Sequence, residues 1–291
     1  MTRSNETQDR QREFALSNKE FEKLTGLVHS LTGIVLGEHK KDMLYSRLAR
    51  RLRDLGLQSF NQYCALLDSQ QAAKETGFLV NAITTNLTKL YRESHHFDSL
   101  ASYLQTIQKD KYRKTGDKTV LIWSAGCSSG EEPYSIATTI LSKAPLLSNW
   151  NVKILATDLD TNMLAKGREG VYPLSSLDSL PYGYKTAIKD NIQTKDTEIK
   201  FRDRAKSLIH FKQLNLLHEW PMKHKFDIIF CRNVLIYFDA ETKDNLVQRF
   251  TENLRPDGML FLGHSESLMH KPEEIKLIGK TTYVKESLSD G

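Results

Sequence analysis

Trp123-Ser-Ala-Gly-Cys-Ser-Ser-Gly-Glu-Glu-Pro-Tyr134 follows directly on an apolar run, Thr119-Val-Leu-Ile-Trp123, that reads as a buried parallel strand. The run breaks into a small-residue turn at Gly126 and Gly130, and Pro133 then falls near the first turn of a helix. Strand, tight turn and helix N-terminus together make a cradle for the polar end of a nucleotide-like cofactor. The glycines do not have dinucleotide spacing, and Glu131 and Glu132 occupy the helix start. A pyrophosphate would be repelled by those carboxylates, whereas a cofactor carrying positive charge would not. The segment therefore points away from NAD and toward S-adenosylmethionine, with its ammonium and sulfonium.

Ile154-Leu-Ala-Thr-Asp158 lies about thirty residues further on. An acid at the end of the second strand can accept both ribose hydroxyls of an adenosine; alternatively, Asp158 caps a helix beginning near Asp160-Thr161. Glu132 either holds the cofactor's amino group or simply favours the helix N-terminus by its charge. Further candidate strands at 208–213, 226–231, 258–263 and 281–285 alternate with helical segments, the pattern of a parallel α/β sheet. The stretch from Pro173 to Lys206 is irregular and too polar for a core helix, with a short antiparallel excursion around Ile199-Lys-Phe201.

Phe226-Asp-Ile-Ile-Phe-Cys-Arg-Asn-Val-Leu-Ile-Tyr-Phe-Asp239 reads as a strand running into a loop over the carboxyl ends of the sheet, where substrates bind. The Asn-Pro-Pro-Tyr often found there in nitrogen methylases is absent, which argues against a base or glutamine substrate. Tyr237 is either a substrate-facing residue or a packed aromatic. Upstream, Thr84-Thr-Asn-Leu-Thr-Lys-Leu-Tyr-Arg-Glu-Ser-His-His96 is dense in hydrogen-bonding side chains. Asn86, Thr88 and Arg92 either face the cofactor cleft or belong to a polar linker with capping threonines. His95 and His96 have no metal-ligand spacing and read as structural.

From Phe14 to about Leu67 the pattern is helical. Leu16-Ser-Asn-Lys-Glu20 has the form of a capping box, and Phe21, Leu24, Leu27, Val28 and Leu31 follow at helical spacing. A break at 33–37 precedes a second helix with Leu44, Leu48, Leu52 and Leu55 on one face, and Phe60, Tyr63, Leu66 and Leu67 mark a third. The second helix is strongly basic, with Lys40, Arg47, Arg50 and Arg51 in phase. Such a face is solvated, binds nucleic acid, or docks an acidic protein helix; its one aromatic residue, Tyr45, makes no interleaved series to stack bases.

At 291 residues, with 39% hydrophobic and 26% charged residues, the chain has room for a small domain and an α/β unit. No apolar run approaches a membrane span, and the N-terminus lacks a signal core. Cys64, Cys127 and Cys231 are widely spaced and odd in number, which argues for a reducing cytoplasm without disulfides or a zinc site. The net charge of +5 is too mild to require nucleic acid.

Read together, Thr84-Thr-Asn-Leu-Thr88, Arg92-Glu-Ser-His-His-Phe97, Ser129-Gly-Glu-Glu-Pro-Tyr-Ser135, Phe230-Cys-Arg-Asn-Val-Leu-Ile-Tyr-Phe-Asp239 and Gly263-His-Ser-Glu-Ser267 resemble the CheR family of chemotaxis protein methyltransferases. The resemblance covers roughly residues 14 to 286. It implies a helical N-terminal domain (14–78) after a disordered tail (1–13), a linker and lead-in helix (79–118), and a Rossmann-like methyltransferase domain (119–291) with a β-subdomain at about 184–207. It implies methyl transfer from S-adenosylmethionine to glutamate side chains on the cytoplasmic helices of chemoreceptors, giving γ-methyl esters and S-adenosylhomocysteine. The enzyme would be a cytoplasmic monomer, without metal, nucleic acid or membrane insertion. Carried over by position, the cofactor contacts are Asn86, Thr88, Arg92, Glu132, Asp158, Asn215, Leu216, Arg232 and Asn233, and the chemistry falls to Arg92 and Tyr237. Lys40, Arg47, Arg50 and Arg51 become a docking face for the acidic receptor bundle. Members that tether to a receptor's C-terminal pentapeptide carry a Gly-x-Gly-Pro turn, which the stretch from Lys189 to Glu198 lacks.

Overall fold

The computed structural model describes residues 12–70, 72–144, 147 and 149–286, so all but the end of the expected tail lies outside the described residues. They divide into two units: those up to Thr85 together with Tyr237–Asp239, and Asn86–Ile236 together with those from Ala240 onward.

The first unit is built on helices. Helix α1 (Asn18–Thr32) starts at a complete capping box, Ser17 accepting from the Glu20 amide and Glu20 accepting from the Ser17 amide, and stops at Gly33 in the left-handed conformation. Helices α2 (Lys41–Asp54), α3 (Phe60–Leu67) and α4 (Ala72–Ile83) close a common core in which Leu24, Val28, Leu44, Leu48, Leu52, Phe60, Tyr63 and Leu79 are fully buried. Each such side chain contributes about 1.5–3 kcal/mol relative to exposure. The Tyr237 carbonyl accepts from the Val35 amide at 2.9 Å, which ties a distant stretch of chain into this unit.

Within the same unit, two of the four residues of the expected docking face are engaged internally. Arg51 is bidentate on Glu75 of α4, from Nε at 2.9 Å and from Nη2 at 2.7 Å, and stacks over Phe78. Arg47 donates to the carbonyls of Ala82 and Thr84. These two guanidiniums hold α2 to α4, whereas Arg50 is exposed and Lys40 half-buried.

The second unit opens with α5 (His95–Thr115), β1 (Thr119–Ala125), α6 (Glu131–Lys143), β2 (Asn151–Asp158) and α7 (Thr161–Glu169). A small sheet follows: β3 (Val171–Pro173), then α8 (Tyr182–Lys189), β4 (Ile192–Lys195) and β5 (Glu198–Phe201), in the antiparallel order β3-β5-β4. It begins well before the expected residue 184. Ile188 and Ile199 are fully buried in the main core, so the stretch read as too polar contributes real packing. The chain continues through α9 (Asp203–Lys206), β6 (Ile209–Gln213), β7 (Phe226–Cys231), α10 (Ala240–Asn253), β8 (Leu254–Leu262), β9 (Ile275–Gly279) and β10 (Thr282–Lys285).

The large sheet runs β6-β2-β1-β7-β8-β10-β9. Strands β6, β2, β1, β7 and β8 are parallel, and β10 and β9 add antiparallel strands at one edge. Parallel strands covered on both faces are apolar throughout, as in β7, where every residue is buried.

Candidate active site

From β1 the chain crosses to β2 and β6 on one side, then returns to β7 and β8 on the other. The order therefore reverses between β1 and β7, and in open α/β sheets the crevice at the carboxyl ends of such strands is where ligands bind. Four loops leave the sheet at those ends: 126–130 after β1, 159–160 after β2, 214–216 after β6 and 232–237 after β7.

The first of these is anchored from beneath and capped from above. The amides of Gly126 and Cys127 both donate to the Thr157 carbonyl, at 2.8 and 2.9 Å. Gly126 has φ 76°, and a Cβ there would meet the Val234 side chain at 2.3 Å, so only glycine fits. Asp158 accepts from the Ser128 amide at 2.7 Å on one oxygen and from the Asp160 amide at 2.9 Å on the other. The N-cap of α7 is Asp160 and not Asp158, which leaves each Asp158 oxygen a lone pair for a further donor. Burial pushes the Asp158 carboxyl above its ordinary range, opposed by these amide bonds. Asn86 donates to Asp160 at 2.9 Å and accepts from the Ser128 hydroxyl at 3.2 Å, so the 86–92 segment lies on the glycine turn.

Arg232 is the charge centre of the site, with its side chain only 2% exposed. Its Nη1 donates to Glu132 at 3.0 Å, its Nη2 lies 3.3 Å from Glu93, and it also donates to the Arg92 carbonyl. The structure thus uses this guanidinium, expected from sequence as a cofactor contact, as a clamp between β7, α6 and the 86–93 segment. Glu132 is likewise engaged, accepting from the Ser124 hydroxyl at 2.7 Å as well as from Arg232. Burial raises the Glu132 carboxyl despite that cation. For Glu93 burial pushes upward too, but the Arg232 charge and the His264 and Arg232 hydrogen bonds outweigh it and bring the carboxyl down to about 2.

The other expected site residues are placed as follows. Arg92 donates to the Leu87 carbonyl at 2.8 Å, closing its own segment, and Thr88 is half-buried beside it. Asn215 caps the Leu217 amide at 3.0 Å, and the Leu216 carbonyl accepts from Trp220 and Arg249 while its side chain is buried. Asn233 adopts φ 60° and donates its amide to Glu266 at 2.7 Å. Tyr237 ends a short 3-10 turn, Leu235–Tyr237, and is half-buried. His96 is fully buried, 2.9 Å from the Lys280 carbonyl, and burial brings it down to about 4. Burial also pushes the Cys127 and Cys231 thiols well above their ordinary range, so neither is a thiolate nucleophile at neutral pH.

Sequence reasoning assigned no role to Ser128, Asp160, Glu93 or Glu266. Glu93 and Glu266 lie inside the quoted motifs, so their presence was visible although their partners were not.

Glu131, Glu132, Asp158 and Asp160 surround the glycine turn, and the cation among them, Arg232, is already paired. A diphosphate would meet carboxylates there. S-adenosylmethionine fits, since a ribose offers two hydroxyl donors to Asp158 and the ligand brings its own positive charge.

Comparison with known proteins agrees with this geometry. The family model described as the CheR methyltransferase, SAM binding domain, matches residues 86–284, and the CheR methyltransferase, all-alpha domain, matches residues 19–84. The chemotaxis protein methyltransferase of Salmonella typhimurium is 41% identical over 274 residues, covering 92% of this chain and 91% of that protein. The Escherichia coli chemotaxis protein methyltransferase gives the same identity and coverage. The probable chemotaxis protein methyltransferase of Rhizobium etli is 40% identical over 260 residues, covering 88% and 96%.

Proposed function

Because the chain belongs to the CheR methyltransferase family, we propose that it methylates glutamate side chains on the cytoplasmic helices of chemoreceptors, leaving γ-methyl esters. The donor is S-adenosylmethionine and the product S-adenosylhomocysteine. The observation that carries the reading is the convergence of Asp158, Ser128, Asn86 and Asp160 on the turn after β1.

When bound, S-adenosylmethionine supplies a methyl group on a positively charged sulfur. A glutamate acceptor is already ionised at neutral pH, so no side chain has to remove a proton. The buried thiols and the structural His96 are consistent with such a site. What the residues must do is align the acceptor and strip water from it; alignment alone supplies roughly 7–11 kcal/mol in favourable cases. A bidentate Arg on the acceptor carboxylate would favour the reactant, whose charge fades as the bond forms. Arg92 therefore grips the cofactor's carboxylate or orients the acceptor through one oxygen only. Neutral Tyr237 orients the reacting centre. Exposed Arg50, with Lys40, offers positive charge to an acidic receptor helix.

The turn between β4 and β5 is only Asp196-Thr197, with Asp196 at φ 51°, in place of a Gly-x-Gly-Pro turn. The enzyme accordingly works without a pentapeptide tether. Mass-spectrometric mapping of receptor cytoplasmic fragments after incubation with enzyme and cofactor tests both statements. Methylated glutamates at equal rates with and without the C-terminal tail are expected. Methylation of other residue types, or none, would overturn the assignment of the acceptor.

A further inference from the structure

Strands β7 and β8 run parallel up to the pair Cys231 and Leu262, and beyond that pair they part. Backbone amides at such a fork lose their ladder partners and must be satisfied otherwise. Here one side chain takes them from both strands. Glu266, 5% exposed, accepts from the Asn233 amide at 2.7 Å and the Gly263 amide at 2.6 Å on one oxygen, and from the Ile236 amide at 3.2 Å on the other. The approach is so close that a Cβ at Gly263 would sit 2.7 Å from the Glu266 carboxylate and 2.6 Å from the Asn233 side chain. Asn233 itself is held at φ 60°, a conformation that asparagine tolerates but does not prefer.

We infer that Glu266 is a positioning residue for methyl transfer: its carboxylate, clamped on three amides, fixes the 232–237 turn and so holds Asn233, whose side-chain amide donates to Glu93 at 3.4 Å, at the mouth of the fork. This rests on the functional reading above. Glu266 acts through backbone groups and does not touch the reacting atoms. An ionised acceptor bonding several amides is stiffer than neutral alternatives, which suits a turn that must stay open at the fork.

The test is Glu266→Gln, which preserves size but turns an NH2 group toward amides that are themselves donors. In the full chain, S-adenosylhomocysteine affinity measured by calorimetry is expected to fall about tenfold, with kcat falling at least as far. Asn233→Gly removes the side chain without straining the backbone. In that background Glu266→Gln is expected to cost less than twofold further affinity, because coupled residues are not additive. The same tenfold loss in both backgrounds, or no loss in either, would overturn the inference. Should Glu266→Gln fail to fold, Gly263→Ala perturbs the same approach and is judged by the same two-background comparison. The affinity readout needs no acceptor, so a wild type inactive on receptor fragments would count against the acceptor and leave this comparison decidable.

Discussion

Asn86 donates its side-chain amide to Asp160 at 2.9 Å, bridging 74 residues of sequence to join the start of the catalytic unit to the N-cap of α7. Through its side-chain oxygen, the same Asn86 accepts from Ser128 on the glycine turn. A loop segment is thereby fastened to the glycine turn and to the start of α7.

Asn86→Ala should therefore weaken S-adenosylhomocysteine about tenfold while lowering stability only modestly, since each of its two side-chain hydrogen bonds contributes only about 0.5–1.5 kcal/mol. Calorimetry and a melting curve on the same sample check it. Unchanged affinity would remove the 86–92 segment from the site.

Asp158→Asn replaces a charged acceptor with a neutral one. Hydrogen bonds to charged groups contribute about 1.5–3 kcal/mol, so a loss of roughly ten- to a hundredfold in cofactor affinity is expected. An analogue without ribose hydroxyls should bind wild type and variant equally, which would locate the loss at the ribose.

Arg51 and Glu75 add to the stability that the buried core gives the helical unit. Glu75 also accepts from the Tyr63 hydroxyl at 2.9 Å, so Arg51→Met strands a buried carboxylate. Removing one partner of a buried pair costs about 3–5 kcal/mol, reduced here because Arg51 remains 20% exposed. Urea unfolding should show a loss of about 2–3 kcal/mol, with receptor docking tested separately by Arg50→Ala.

The partners of that pair are also what the sequence conceals. The basic run from His39 to Arg53 looked like a free charged face because α4 had not been recognised; Lys74, Glu75 and Gly77 interrupt the apolar periodicity of Ala72–Ile83. Without α4, the partners of Arg47 and Arg51 were invisible. Strand β9 escaped for a related reason, since only Ile275 among its five residues is buried. By contrast, β1, β2 and β7 were plain as apolar runs, because parallel strands covered on both faces need them. The glycine turn and Asp158 were legible from spacing within a single βαβ unit. The clamp at Arg232 was not, since Glu132 and the Arg92 carbonyl lie 100 and 140 residues away.

As pH falls, His96 and Glu93 withdraw their contributions to the catalytic unit in two successive ranges, while the Glu132 and Asp158 carboxyls, raised by burial, act in the opposite sense. Folded His96 resists protonation until about pH 4, whereas the unfolded chain takes up that proton near 6.5. The unfolded state thus binds more protons in between, and stability falls as pH drops from about 6.5 to 4. Folded Glu93 stays ionised to about 2 against about 4.5 unfolded, so its contribution is present above 4.5 and lost as pH falls toward 2. Each is worth roughly 3 kcal/mol. Urea midpoints at pH 7 and 5 should differ clearly in wild type and much less in His96→Gln.

Tyr237→Phe should lower turnover by about ten- to a hundredfold with little change in S-adenosylhomocysteine affinity, as expected for a residue that only orients the acceptor. Steady-state rates beside calorimetry check it; a matching loss of affinity would move Tyr237 to the cofactor.

The proposed reaction moves a methyl group from S-adenosylmethionine to a receptor glutamate. Its most direct measurement is transfer of a tritiated methyl group to purified chemoreceptor cytoplasmic fragments, followed by mild base. Label that accumulates on the fragments and is released quantitatively as methanol is the predicted result. Label that stays bound through base treatment, or never reaches the fragments, would contradict it.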